Sequence, residues 1–205
     1  MAQETERIAA PVTARGRATR QSLLDAAEQV FGDRSYDGAS IAEITRTAGV
    51  AQGTFYQYFP DKKAAFVELV HGLNHSLRET ISRAVADTTS RIEAERVGFR
   101  TFFDYVTRHK ALYRIIRECE FVDIDTYRWH YQTLAAGYSR GLDEAQRRGE
   151  ITMSIPAEDL AWILMGIAES AGSRWVLMED RQPSEDALET LMTFIGCALA
   201  PGEAA

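Results

Sequence analysis

The sequence predicts an all-α protein with a small N-terminal head and a larger helical body. Three observations carry this. Apolar residues recur at helical spacing through most of the chain from Thr19 onward. No alternating apolar and polar run longer than four residues marks a strand. One short stretch, "GVAQGTFYQYFPDKKAAF" at 49–66, breaks the periodic segments with two glycines and a proline.

The elements follow in order. Residues 1–18 lack apolar periodicity and are expected to form a flexible basic arm. Leu23, Ala27, Val30 and Phe31 then make one helical stripe, stopped by "GDRSYDG". Ser40 with Glu43 three residues on is a capping box that opens a short second helix, and Gly49 closes it. In the next segment Ala51, Phe55 and Phe59 cluster on one face, with Gly53, Thr54, Tyr56 and Gln57 on or beside the other. Pro60 and Asp61 restart the chain, Asp61 as N-cap of a longer helix towards Val85. In the body, Phe99, Phe102, Phe103 and Val106 form one stripe. Leu112, Ile115, Ile116 and Cys119 form another, and Tyr127, Tyr131, Leu134, Tyr138 and Leu142 a third. A helix over 157–178 is apolar on nearly all sides, and a last helix runs from Ser184 to Leu199. The expected division is a flexible arm at 1–18, a small head at 19–65 and a larger helical body at 66–205.

Charge narrows the function. The net charge is −7, but residues 1–65 carry 8 basic and 8 acidic side chains while 66–205 carry 15 and 22. Arg7, Arg15, Arg17 and Arg20 form a run with no acidic residue between Glu6 and Asp25. A basic arm on a neutral head, followed by an acidic body, suits nucleic-acid binding at one end only. The longest apolar run, 160–168, is far below the roughly 20 residues that span a bilayer, so no membrane partner is expected. No apolar stretch near Met1 suggests secretion, and a cytoplasmic location is expected. Cys119 and Cys197 have no metal spacing. His71 and His75 lie one helical turn apart but lack the carboxylate of a zinc helix. There is no phosphate loop or nucleophile elbow. No metal, cofactor or enzymatic activity is expected.

A helix, a glycine-containing turn and a short helix make a helix-turn-helix, whose second helix enters the major groove. Gly53 permits close approach to a duplex, and Thr54 offers a hydroxyl and a methyl. Gln52 and Gln57 suit base edges, while Tyr56 and Tyr58 suit phosphate oxygens. Lys62, in the first turn of the next helix, opposes the helix dipole, a cost that a docked phosphate would offset. The plain alternative is that Lys62 and Lys63 are solvated. Phe55 and Phe59 read as core.

These residues carry a resemblance. The segment "LLDAAEQVFGDRSYDGASIAEITRTAGVAQGTFYQYFPDKKAAFVELV", 23–70, resembles the TetR (tetracycline-repressor-like) transcriptional regulators. It shares their "AGV…GT-F/L-Y-x-Y-F" centre and the apolar and lysine pattern that follows, with the lysine doubled here. The resemblance implies an all-α homodimer that reads a palindromic double-stranded operator with two heads. Arg17 and Ser40 join Gln52, Gly53, Thr54, Tyr56, Gln57, Tyr58 and Lys62 as its expected DNA-facing set. It also implies a body that binds a small-molecule effector and so changes the spacing of the heads.

The body's own pattern agrees. In the helix at 157–178, Leu160, Leu164, Ile167, Ala171, Trp175 and Met178 form one stripe. Trp162, Met165, Gly166, Glu169, Ser173 and Val176 lie opposite. A helix apolar on two faces must be covered on both, by its own core and by a second subunit or a ligand. Glu169 needs a partner. Phe102, Tyr113, Tyr131, Trp162 and Glu169 are the expected ligand-binding set, for a largely apolar molecule with a polar end. The alternative is a DNA-binding protein without an effector, and more remotely an enzyme.

Overall fold

The structure is a computed structural model that describes residues 13–201. Nine helices and no strand are present among the described residues. They are α1 (Ala14–Gly38), α2 (Ile41–Thr47), α3 (Gln52–Phe55), α4 (Lys62–Ala84), α5 (Arg91–Arg108), α6 (Ala111–Val122), α7 (Ile124–Arg147), α8 (Ala157–Gly172) and α9 (Glu185–Leu199). Among these residues no helix is long and apolar enough to cross a membrane. The expected arm is only partly within view. Residues 1–12 lie outside the described residues, whereas 14–18 are already helical, with Thr13 Oγ1 accepting the Gly16 N–H at 3.0 Å as N-cap.

Two compact units emerge, and the expected boundary after residue 65 moves. One unit holds the described residues through Leu73 together with Ala111–Tyr127, so α6 packs with the head. The other holds Asn74–Lys110 and the described residues from Arg128.

In the first unit, Leu23, Ala27, Val30, Phe31, Ile44, Phe55, Phe59, Phe66 and Val70 form the core. The packing of α6 on α1 is close enough to require a glycine. A Cβ on Gly32 would fall 2.6 Å from the Ala111 Cβ. Residues 35–38 continue α1 only across a kink. Ser35 has φ 66° and ψ 167°, a region nearly confined to glycine that costs other residues about 1–3 kcal/mol. Contacts from two helices hold this corner. Lys62 Nζ donates to the carbonyls of Tyr36 at 2.7 Å and Ala39 at 2.9 Å, and lies 4.4 Å from the Tyr36 ring centroid. The Glu118 carboxylate accepts the Tyr36 N–H at 2.6 Å, and Arg114 donates to the Gly32 carbonyl at 2.6 Å. The Phe31, Tyr36 and Phe66 rings pack beneath it.

The second unit is built on Phe99, Phe103, Leu142, Leu160, Leu164, Trp175, Leu188, Met192 and Ile195. One buried charge cluster ties α5 to α7. Glu95, 2% exposed, accepts from Arg91 Nε at 2.7 Å and from the Tyr138 hydroxyl. Burial, with Glu95 second, holds the Tyr138 phenol well above its usual pKa. The expected helix at 157–178 is not α-helical to its end. From Ser173 to Met178 it becomes a π-helical turn, with the Glu179 N–H reaching the Arg174 carbonyl at 3.0 Å. This wider turn shifts the helical phase. Val176, expected on the outer face, is buried, while Met178, expected in the core stripe, is 76% exposed; Ser173, where the turn begins, is buried as well.

Two predictions follow from the corner. Ser35→Gly relieves backbone strain and loses some of that gain to unfolded-state entropy. It should raise unfolding stability by about 1 kcal/mol, read as a higher urea midpoint. An unchanged or lower midpoint refutes the strain. Lys62→Met keeps the aliphatic stem and removes two charge-assisted bonds. It should lower stability by about 2 kcal/mol, and a change within error would show that the capping contributes nothing.

Candidate nucleic-acid interface and body site

The turn of the head is set by Gly49. Its φ of 68° is left-handed, and it ends α2 in a Schellman arrangement. The Gly49 N–H reaches the Arg46 carbonyl at 3.2 Å and the Val50 N–H reaches that of Thr45 at 3.0 Å. α3 then starts within three residues, at Gln52. Phe55 and Phe59 are 0% and 1% exposed, as their spacing predicted, and their rings lie 5.3 Å apart. The opposite face is open. Gln52, Gly53, Tyr56 and Gln57 are exposed, and Thr54 and Tyr58 are half-buried. A Cβ on Gly53 would meet nothing within 4 Å, so the head itself does not require glycine there. Six of the expected DNA-facing residues thus share one segment, 52–58, and four of them point to solvent.

The other three behave differently. Ser40 Oγ accepts the Glu43 N–H at 3.1 Å as N-cap, which leaves its hydroxyl hydrogen available outward. The reciprocal half of the capping box is replaced by ion pairs of Glu43 with Arg34 and Arg46, at 3.3 and 3.6 Å. Arg17 is exposed on the first turns of α1. Lys62 is a correction. Its unfavourable place at a helix start is compensated from within the chain, by the two carbonyls of the α1 corner, so no phosphate is needed to explain it. Asp61 caps that helix as expected, accepting the Ala64 N–H at 2.7 Å. Arg20 is likewise inward-facing, paired with Glu68 and lying 5.2 Å from the Phe59 ring centroid.

In the body, Tyr131 and Glu169 come together. The Tyr131 hydroxyl lies 3.1 Å from both Glu169 carboxylate oxygens, which answers the need of Glu169 for a partner within its own chain. Trp162 stacks on Tyr131 at 6.2 Å and is 43% exposed, so it sits at the surface and not in an enclosed pocket. Phe102 is half-buried against the body core, edge-to-face with Phe103 at 5.6 Å. Tyr113 is buried in α6, in the first unit, whereas the other four lie in the second.

Sequence reasoning missed a buried polar pair, Asn74 and His130, which are 0% and 4% exposed. Asn74 Nδ2 donates to the His130 carbonyl at 3.1 Å and lies 3.2 Å from His130 Nδ1. Burial pushes the His130 imidazole down to a pKa of about 4. The signal was legible in α4, where Asn74 stands at a core position three residues before Leu77.

Comparison with known proteins agrees with this geometry. The family described as "Bacterial regulatory proteins, tetR family" matches residues 23–69. The HTH-type transcriptional regulator TtgR of Pseudomonas putida is 29% identical over 177 residues, covering 79% of this chain and 82% of that protein. The HTH-type transcriptional repressor BepR of Brucella suis is 28% identical over 168 residues, covering 77% and 80%. The fold is shared with the transcriptional regulator FadR of Bacillus subtilis, solved in complex with stearoyl-CoA. The TM-score is 0.71 at 18% identity, over 85% of this chain and 94% of that one. Residues 23–69 thus carry the DNA-binding segment of the TetR family, and over most of its length the chain is similar to transcriptional regulators.

Proposed function

We propose that the protein is a homodimeric, cytoplasmic repressor that reads a two-fold operator and is released by a small, largely apolar effector. The observation that carries the DNA reading is the division of segment 52–59. Its two phenylalanines are fully inward, while Gln52, Gly53, Tyr56 and Gln57 present a side-chain set suited to bases and phosphates. Repression is supported by the relative named as a repressor.

Dimerisation is supported by uncovered apolar surface on α8 and α9. Trp162, Ile163 and Phe194 are 43%, 52% and 61% exposed, and Gly166 on the same helix as Trp162 is also exposed. Large apolar side chains left exposed on neighbouring positions of one helix suit an interaction site. Trp162 and Gly166 lie on the face of α8 opposite Leu160 and Leu164, which serve the chain's own core. A two-fold protein of this kind reads two-fold DNA. An apolar effector is supported by the fold neighbour that was solved with stearoyl-CoA. An effector acts by its differential affinity for two states of the regulator.

The first test is operator selection from random duplexes with the purified protein, followed by affinity with and without an organic extract of the source cells. A palindromic consensus whose binding weakens with extract is expected. A selected site whose affinity no extract changes would favour a regulator without an effector. Gly53→Ala should keep or raise stability, by up to about 1 kcal/mol of helix propensity. It should weaken operator binding at least tenfold, because the added methyl meets only the duplex. Gln57→Ala should cost about 1–3 kcal/mol on the selected site and little on random DNA. Normal binding by Gly53→Ala would remove the close approach. Light scattering should return twice the 22.9 kDa chain mass at micromolar concentration, and a monomer would refute the interface.

A further inference from the structure

The Asn74–His130 pair is not used by anything described so far. Its chemistry is fixed by the donors. Asn74 Nδ2 is placed by the His130 carbonyl, which settles the orientation of the amide. An amide nitrogen offers only hydrogens, so His130 Nδ1 is the acceptor and the imidazole proton sits on Nε2. Because its pKa is lowered to about 4, the ring is neutral at physiological pH. The amide oxygen, Asn74 Oδ1, is buried and accepts no hydrogen bond. Buried polar atoms are almost always paired, and an orphaned one in a fully buried side chain calls for a partner from outside the chain.

We propose that Asn74 and His130 form the polar anchor of the effector site, and that they take a neutral hydroxyl or N–H group on an otherwise apolar molecule. This rests on the effector-responsive reading given above. Oδ1 can be satisfied only by a donor. A carboxylate or phosphate presents lone pairs alone at neutral pH and would face the carbonyl oxygen with like charge. The surroundings are apolar. Leu77 on α4 is buried one turn from Asn74, and Leu134 on α7 is half-buried one turn from His130. Tyr131 stands edge-to-face with the His130 ring at 5.1 Å and leads on to Trp162. Among the charged groups on the helices named here, Glu169 is already bonded by Tyr131, and half-buried Arg78 stands one turn beyond Asn74 on α4. An anionic ligand would turn to Arg78 and leave Asn74 unsatisfied, which is the competing arrangement.

The test uses the full-length protein on its selected operator with straight-chain alcohols, primary amides and carboxylates from octyl to hexadecyl. Operator affinity of the wild type should fall with an alcohol or amide. Affinity for that molecule should drop on the order of tenfold in Asn74→Leu, the value of one buried hydrogen bond, and stay unchanged in Arg78→Gln. In the wild type, the same molecule should shift the ¹⁵N resonance of His130 or the side-chain amide of Asn74, a readout that does not depend on any variant folding. A response to the carboxylate alone, lost in Arg78→Gln and kept in Asn74→Leu, overturns the proposal and leaves the effector-responsive reading intact. So does a response to cell extract but to no member of the series. Unchanged alcohol affinity in a stabilised Asn74→Leu shows that Oδ1 holds a water only, and this too overturns it. A protein that answers neither extract nor series loses both readings.

Discussion

A helix of four residues has no stability of its own, because nucleation costs more than one turn of hydrogen bonds returns. The segment around α3 is therefore held almost entirely by the burial of Phe55 and Phe59. Each buried ring supplies a few kcal/mol of packing, and together they decide which side of α3 faces out. The tilt of Tyr56 and Gln57, and the open backbone at Gly53, are set by rings that never touch solvent. The turn at Gly49 and the cap at Asp61 fix where the segment starts and stops, and the phenylalanines fix its roll.

Charged side chains supply the rigidity around that segment. Arg20 and Glu68 close over Phe59, and Lys62, Arg114 and Glu118 converge on the backbone of one kink. None is a surface ion pair of the weak kind. Each is partly buried or satisfies a helix end. The result is a head in which α6, distant in sequence, is structurally part of the DNA-binding unit. The body uses the same device once, with Arg91, Glu95 and Tyr138 joined in a single buried cluster.

Much of this was legible in the sequence. The stripes of Leu23 to Phe31 and Leu112 to Cys119 each became a helix with those residues buried, and the last helix formed where it was expected. The caps at Ser40 and Asp61 and the inward pair Phe55 and Phe59 were also readable, since each depends on neighbours within one or two turns. What was not legible depends on contacts distant in sequence. Lys62 reads as a misplaced cation until the α1 corner supplies its carbonyls. Glu169 reads as an orphan until Tyr131, 38 residues away, meets it. Tyr113 reads as part of the body until α6 packs with the head. The phase change after Gly172 was hidden because a wheel at 100° per residue assumes one helix type throughout.

That π-helical turn gives the chain a place of slack. It accommodates one residue more than an α-helical turn does, so it works as a looped-out stitch in an otherwise regular thread. Loss of one residue elsewhere in α8 would rotate everything beyond it by about 100° and turn the core stripe to solvent. Loss of one residue at 173–178 could be taken up by tightening the turn to α-helical form, with the helix before it left in register. The joint between α8 and the loop to α9 is thus where this body can lose a residue while Leu160 and Leu164 keep their places.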